Sequence, residues 1–183
     1  MKIDPNSFSS GQISSKIWMC EEMEKLFPKL KTIWIYGGWY GLASFLLHSR
    51  GNIEIDAIYS YDNDPACRPI ADSINENWVW KNWKFKAFTI DCNYLEPHVY
   101  HPDCIINTAT EHFDRDLWFH EIPKGTVVVL QSNNMPHEDH QFCVNSLEEF
   151  KTRYPISEVL YQGTLDFNYP SWSFTRFMQI GYK

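Results

Sequence analysis

The sequence predicts a three-layer α/β fold: a mostly parallel sheet of about seven strands, helices on both faces, and an antiparallel hairpin at the carboxyl end. Three observations predict it. Short β-branched and aromatic runs alternate with helical patterns through most of the chain, which favours parallel strands joined by crossover helices. Two strand-like segments, residues 158–167 and 174–182, are separated by only a short Asn168-Tyr169-Pro170-Ser171 turn. Of the 8 glycines in 183 residues, three fall at positions 37, 38 and 41, between the first predicted strand and the helix that follows it.

The elements follow in order. Residues 15–27 set Ile17, Trp18, Met23, Leu26 and Phe27 at helical spacing away from Glu21, Glu22 and Glu24, an amphipathic helix ended by Pro28. Residues 1–14 are polar and expected to be irregular. Residues 32–36 are short, β-branched and aromatic, a buried strand, and residues 42–48 continue as an apolar helix. After an Arg50-Gly51-Asn52 turn, residues 54–61 read as a second strand. Pro65 suits the first turn of a helix running through Ile70, Ala71 and Ile74 to about Trp78. Residues 84–90 form a third strand and 104–107 a short fourth. Residues 114–120 are a short helix and Pro123-Lys124-Gly125 a turn. Residues 126–131, almost uninterrupted in β-branched residues, are the clearest buried strand. A polar loop over 132–141 and a helix over 147–153 precede the hairpin. One domain accounts for residues 1–183.

Composition narrows the function classes. With 44% hydrophobic, 16% aromatic and 21% charged residues, the chain has ample material for a core. Its 23 acidic and 16 basic residues give a net charge of −7, which argues against sequence-independent nucleic-acid binding through Lys and Arg. The five cysteines, Cys20, Cys67, Cys92, Cys104 and Cys143, are widely spaced and odd in number, so reduced thiols are expected rather than a disulfide framework. No apolar run approaches the ~20 residues of a membrane helix, and the first fifteen residues lack the apolar core of a signal peptide. A cytoplasmic protein is expected, with assembly into a homo-oligomer left open.

In an open doubly wound sheet, ligands bind beyond the carboxyl ends of the strands. Four predicted strand ends carry residues that packing alone does not call for: Gly37, Gly38 and Gly41 after the first, Asp62 after the second, Asp91 after the third and Asn107 after the fourth. Glycine lets backbone N–H groups approach a ligand closely, and a helix N-terminus behind it favours an anionic group. Asp62 stands where a carboxylate can accept hydrogen bonds from ribose hydroxyls. Each also has a plain structural reading: the glycines as a tight turn, Asp62 as a cap for the Pro65 helix.

The series formed by residues 33–41, 59–65, 87–91 and 103–108, followed by the 126–131 strand and a terminal hairpin, resembles the class I, Rossmann-like, S-adenosylmethionine-dependent methyltransferases over residues 15–183. That family's first loop usually reads acidic-x-G-x-G-x-G; here it is Ile35-Tyr36-Gly37-Gly38-Trp39-Tyr40-Gly41. Gly37 and Gly41 match the outer glycines, Ile35 replaces the acid and Trp39 the middle glycine. The resemblance implies S-adenosyl-L-methionine as cofactor, with Gly37 and Gly41 on its methionine part, Asp62 on the ribose and Asp91 with Cys92 on the adenine. Tyr36, Gly38, Trp39, Asn63 and Asn107 complete the cofactor set. Trp39 is expected to cover the cofactor, shape a substrate pocket or pack under the loop.

After the fourth strand, amino-group methyltransferases of this fold often carry N/D-P-P-Y/F; this chain has Asn107-Thr108-Ala109-Thr110-Glu111-His112-Phe113. The asparagine is kept and the prolines are absent, so DNA-adenine or glutamine methylation is not inferred. Asn107, Glu111 and His112 are the candidates for acid–base work or substrate contact, since histidine titrates near neutrality beside an orienting carboxylate; the plain reading is a helix cap and a surface histidine. The polar 132–141 loop is the other candidate wall, suited to a small or medium polar acceptor.

Two metal-like spacings, His98/His101/Cys104 and His137/His140, each fall short of four ligands, so no metal is expected. Trp78, Trp80 and Trp83 lack interleaved basic residues and read as packing rather than a base-stacking platform. Three functions stay open: a methyltransferase; a non-methylating S-adenosylmethionine-using enzyme or cofactor-binding subunit; and a nicotinamide-dinucleotide oxidoreductase, for which the G-x-G-x-x-G spacing is missing.

Overall fold

The computed structural model describes residues 3–80 and 83–183, leaving out the side chain of Trp80. The chain runs through α1 (Ser10–Leu26), β1 (Lys29–Tyr36), α2 (Leu42–Arg50), β2 (Glu54–Asp62), α3 (Cys67–Ile74), α4 (Glu76–Trp80), β3 (Phe85–Thr89), α5 (Pro97–Tyr100), β4 (Cys104–Asn107), α6 (Leu117–His120), β5 (Val127–Asn133), α7 (Leu147–Arg153), β6 (Glu158–Asn168) and β7 (Ser173–Tyr182). The seven strands lie in the order β3-β2-β1-β4-β5-β7-β6. The four pairings from β3 to β5 are parallel, and β7 is antiparallel to both β5 and β6.

Alternation along the strands builds two cores. On β1, Ile33 and Ile35 face one cluster while Trp34 and Tyr36 face the other; on β5, Val127 and Val129 oppose Val128 and Leu130. A period of 2 with both faces apolar produces a sheet covered on each side. The first cluster packs under α1 and α2, with Met19, Cys20, Met23, Ala43 and Leu47. The second takes Trp118 and Phe119 of α6 and Phe150 of α7.

Several local expectations change. Helix α1 starts at Ser10 because Ser9 caps it, its hydroxyl accepting from the Gln12 N–H at 3.4 Å; the segment before Ser15 is therefore partly helical. Its buried face is Ser15, Lys16, Met19, Cys20 and Met23, whereas Ile17, Trp18 and Leu26 are only half-buried. The helix after Pro65 breaks into α3 and α4 at Asn75, whose side chain competes for backbone partners: Nδ2 donates to the Ala71 carbonyl at 3.0 Å. Residues 97–100 form a one-turn helix with Pro97 in its first turn. Trp78 stacks on His48 with ring centroids 5.2 Å apart and meets Phe45 edge-on, while Trp83 is 65% exposed. The Trp80 side chain lies outside the described residues. No helix among the described residues is long and apolar enough to cross a membrane.

Candidate active site

The chain departs from β1 and β4 in opposite directions, β2 and β3 extending the sheet one way and β5, β7 and β6 the other. At such a reversal the crevice beyond the strand ends is open to a ligand. Tyr36 is in register with Tyr61 on β2 and Asn107 on β4, so the glycine loop, Asp62 and Asn107 leave the sheet at one level.

The loop has left-handed backbone at alternating positions: Gly37 at φ 61°, Trp39 at φ 48° and Gly41 at φ 74°. Trp39 thus takes a backbone conformation that favours glycine, at a cost of roughly 1–2 kcal/mol. Asp62 holds it there. The Trp39 N–H donates to Asp62 Oδ2 at 2.9 Å and the Asp64 N–H to Oδ1 at 3.0 Å. The Trp39 ring leans on Tyr40, centroids 5.3 Å apart, in a small cluster with Cys67 and Ile70 of α3. Packing also demands the glycines: a Cβ on Gly38 would lie 1.9 Å from Ser60 Oγ, and one on Gly41 would lie 2.6 Å from Asn75 Nδ2.

Beyond β3, Asp91 Oδ1 accepts from both nitrogens of Asn93 and so caps the one-turn helix Cys92–Tyr94. Cys92 is buried with its thiol toward the Tyr61 carbonyl at 4.0 Å, and burial pushes its pKa up. Asn63 is exposed beside Asp62.

Beyond β4 the environment is polar and closed. Asn107 is fully buried; its Oδ1 accepts from the Ala109 N–H at 3.0 Å, while Nδ2 is a buried donor without a partner, as is the Tyr36 hydroxyl. Glu111 is 2% exposed. Its Oε1 accepts from Asn133 Nδ2 and lies 3.7 Å from Arg176 Nη1, and its Oε2 has no partner. It does not cap the turn it sits in, since Ala109 holds that position. Arg176 on β7 donates to the Thr108 carbonyl at 3.1 Å; burial lowers its pKa, against the pull of Glu111. Lys16 of α1 completes this buried group, donating to Gln12 Oε1 at 2.5 Å. Burial first, then Arg176, lowers its pKa to about 7.

His112 is exposed on the same turn as Glu111, and its ring meets that of His140 edge-on, centroids 4.7 Å apart. Ser132 and Asn133, expected as the start of a loop, extend β5, and the segment that follows lies against the Glu111 turn, pinned by Gln141 and Phe142 N–H bonds to the Glu111 carbonyl at 2.8 and 3.1 Å. His98, His101 and Cys104 do not converge: His98 pairs with Glu121 at 3.7 Å and Cys104 is fully buried in β4.

Sequence reasoning missed Ser60, Asn75, Arg176 and Lys16, and took Asn133 only as part of the polar 132–141 segment. An arginine within the Phe174–Ile180 run of a strand was the one available signal, at Arg176; Lys16 looks like any lysine on a polar helix face.

These groups fit an S-adenosylmethionine-type molecule through the remaining carboxylate lone pairs on Asp62 for a diol and the orphaned buried Asn107 and Tyr36 groups for its polar atoms, whereas the Gly38, Trp39 and Gly41 N–H groups already bond to the Tyr61 carbonyl, Asp62 and the Gly38 carbonyl. No protein-family model and no curated protein sequence matches the chain. Solved structures do. Magnesium protoporphyrin IX methyltransferase from Synechocystis PCC 6803 with bound S-adenosylhomocysteine superposes with a TM-score of 0.65 at 11% identity, covering 98% of this chain and 89% of that one. A putative sarcosine dimethylglycine methyltransferase from Galdieria sulphuraria gives 0.66 at 10%, covering 100% and 91%. A putative RNA methyltransferase from Pyrococcus horikoshii gives 0.62 at 17%, covering 94% and 82%. The fold is that of the class I S-adenosylmethionine-dependent methyltransferases.

Proposed function

We propose that this chain is an S-adenosylmethionine-dependent methyltransferase acting on a small or medium polar acceptor. The observation that carries the reading is the left-handed Gly37–Trp39–Gly41 backbone tied to Asp62 at the β1/β4 reversal, with the buried, unpartnered Nδ2 of Asn107 at the end of the adjacent strand. The cofactor supplies an activated sulfonium methyl. The chain's task is then to bind and orient, which can supply much of the catalysis. Backbone at Gly37 and Gly41 would hold the methionine part with Tyr36, Gly38 and Trp39 around it, Asp62 and Asn63 the ribose, and Asp91 with Cys92 the adenine. Asn107 Nδ2 and the Thr108 segment fixed by Arg176 would position the acceptor, with Glu111 and His112 contacting its polar group.

The matched structures include enzymes named for small molecules and one named for RNA. An excess of seven acidic residues in this chain supports the small-molecule class, since phosphate backbones are bound through cations. Calorimetry with S-adenosylmethionine, S-adenosylhomocysteine and NAD tests the reading. Binding of the first two and not the third is expected; NAD alone binding would replace it with the oxidoreductase reading.

A further inference from the structure

Glu111 and His112 from the turn after β4 and His140 from the loop after β5 meet at one point. A carboxylate oxygen and one nitrogen from each ring all lie within 4.8 Å of one another. Donors on one ion at about 2.1 Å stand roughly 3.4 Å apart in a tetrahedron, so small side-chain rotations bring the three onto a common centre. Two further observations point to a ligand there. Glu111 Oε2 is buried yet unpartnered, although Oε1 is held by Asn133, so the carboxylate is fixed by one oxygen and offers the other. His140 Nδ1 lies 2.7 Å from the Met135 carbonyl. A carbonyl only accepts, so Nδ1 carries the hydrogen and Nε2 keeps its lone pair, which is the outer hydrogen bond that metal-bound histidines make.

We propose that Glu111, His112 and His140 form a site for a divalent transition ion of the zinc or iron(II) class. Two imidazoles and one carboxylate suit such ions, whereas magnesium and calcium prefer oxygen-only sets. Glu111 is buried, His140 half-buried and His112 exposed, so the site opens outward and leaves positions for an oxygen or nitrogen ligand. The acceptor would take one of them, a role that rests on the methyl-transfer reading; binding of the ion does not.

The test titrates the chelator-treated full chain with Zn²⁺, and with Co²⁺ followed by visible absorbance. One site with cobalt–histidine absorption bands is expected. His112→Ala, at an exposed position, and His140→Ala should each weaken zinc binding by about tenfold or more, and the double variant should lose it, with circular dichroism confirming the fold. His98→Ala, a surface histidine elsewhere, should change nothing. Absence of zinc binding by the natural chain, equal binding by the double variant, or an equal loss in His98→Ala would each overturn the site. S-Adenosylhomocysteine calorimetry on the same samples keeps the two readings apart. S-Adenosylhomocysteine binding without zinc binding removes the metal site alone; zinc binding without S-adenosylhomocysteine binding supports the site and removes the methyl-transfer role.

Discussion

Lys16 has an ammonium surrounded by protein, and its pKa falls to about 7 through burial and the neighbouring Arg176. The unfolded chain holds that proton up to its ordinary value of 10.5. Between these values the unfolded state binds more protons, so stability rises with pH; below about pH 7 both states are charged and the full burial penalty applies. Buried thiols such as Cys20, raised to about 12 from 9.0, act in the opposite sense above about pH 9. Denaturant melts between pH 7 and 9 should therefore show rising stability in the natural chain and a flatter profile in Lys16→Met. Gly38 gives a second test. Gly38→Ala forces a methyl onto Ser60 Oγ and should cost about 1–3 kcal/mol. Ser60→Ala in the same chain removes the blocking oxygen and should recover part of it in urea melts.

At the level of elements, the glycine loop is held from two sides. Asp62 takes the Trp39 amide from β2, and Asn75 at the α3–α4 break donates to the Gly41 carbonyl at 3.1 Å. Asp62→Ala removes the clamp together with the proposed ribose acceptor. S-Adenosylhomocysteine affinity should drop about 10- to 100-fold, the range for hydrogen bonds to a charged acceptor; unchanged affinity in calorimetry would separate Asp62 from the ligand. The strands were legible in the sequence because Val127–Leu130 and Ile33–Tyr36 are short runs, apolar on both faces and rich in β-branched and aromatic residues, as strands of a covered sheet are. The strand-end residues were legible because Asp62 and Asn107 interrupt such runs where they stop. Asn75 was not, since an asparagine among other polar residues of a helical stretch, Asp72, Ser73, Glu76 and Asn77, carries no mark of the carbonyl it will meet 34 positions away. Nor was the pairing of Glu111 with Arg176, 65 residues apart: it depends on β7 entering between β5 and β6, a strand order that periodicity does not encode.

For the whole molecule, the three-layer arrangement decides the chemistry of the cysteines. Cys20 lies on the buried face of α1, Cys104 in the central strand β4, Cys67 in the cluster with Trp39 and Tyr40 of the glycine loop, and Cys92 in the one-turn helix after β3. All four are buried, and all five thiols are free. Burial raises the pKa of each of these four, which suppresses the thiolate that a labelling reagent attacks. Cys143, in the loop after β5, is the exception in access: it is half-buried, its thiol donating to the Met135 carbonyl at 3.1 Å. Native protein should therefore react at one thiol, with all five reacting in denaturant, and Cys143→Ser should remove the fast phase. The melting temperature should be the same with and without reductant, because no crosslink contributes to stability. Two or more fast thiols in the native state would mean that one of the covering layers opens on the labelling timescale. Mapping the second site would then show which: Cys20 for α1, Cys67 or Cys92 for the loop region around Asp62.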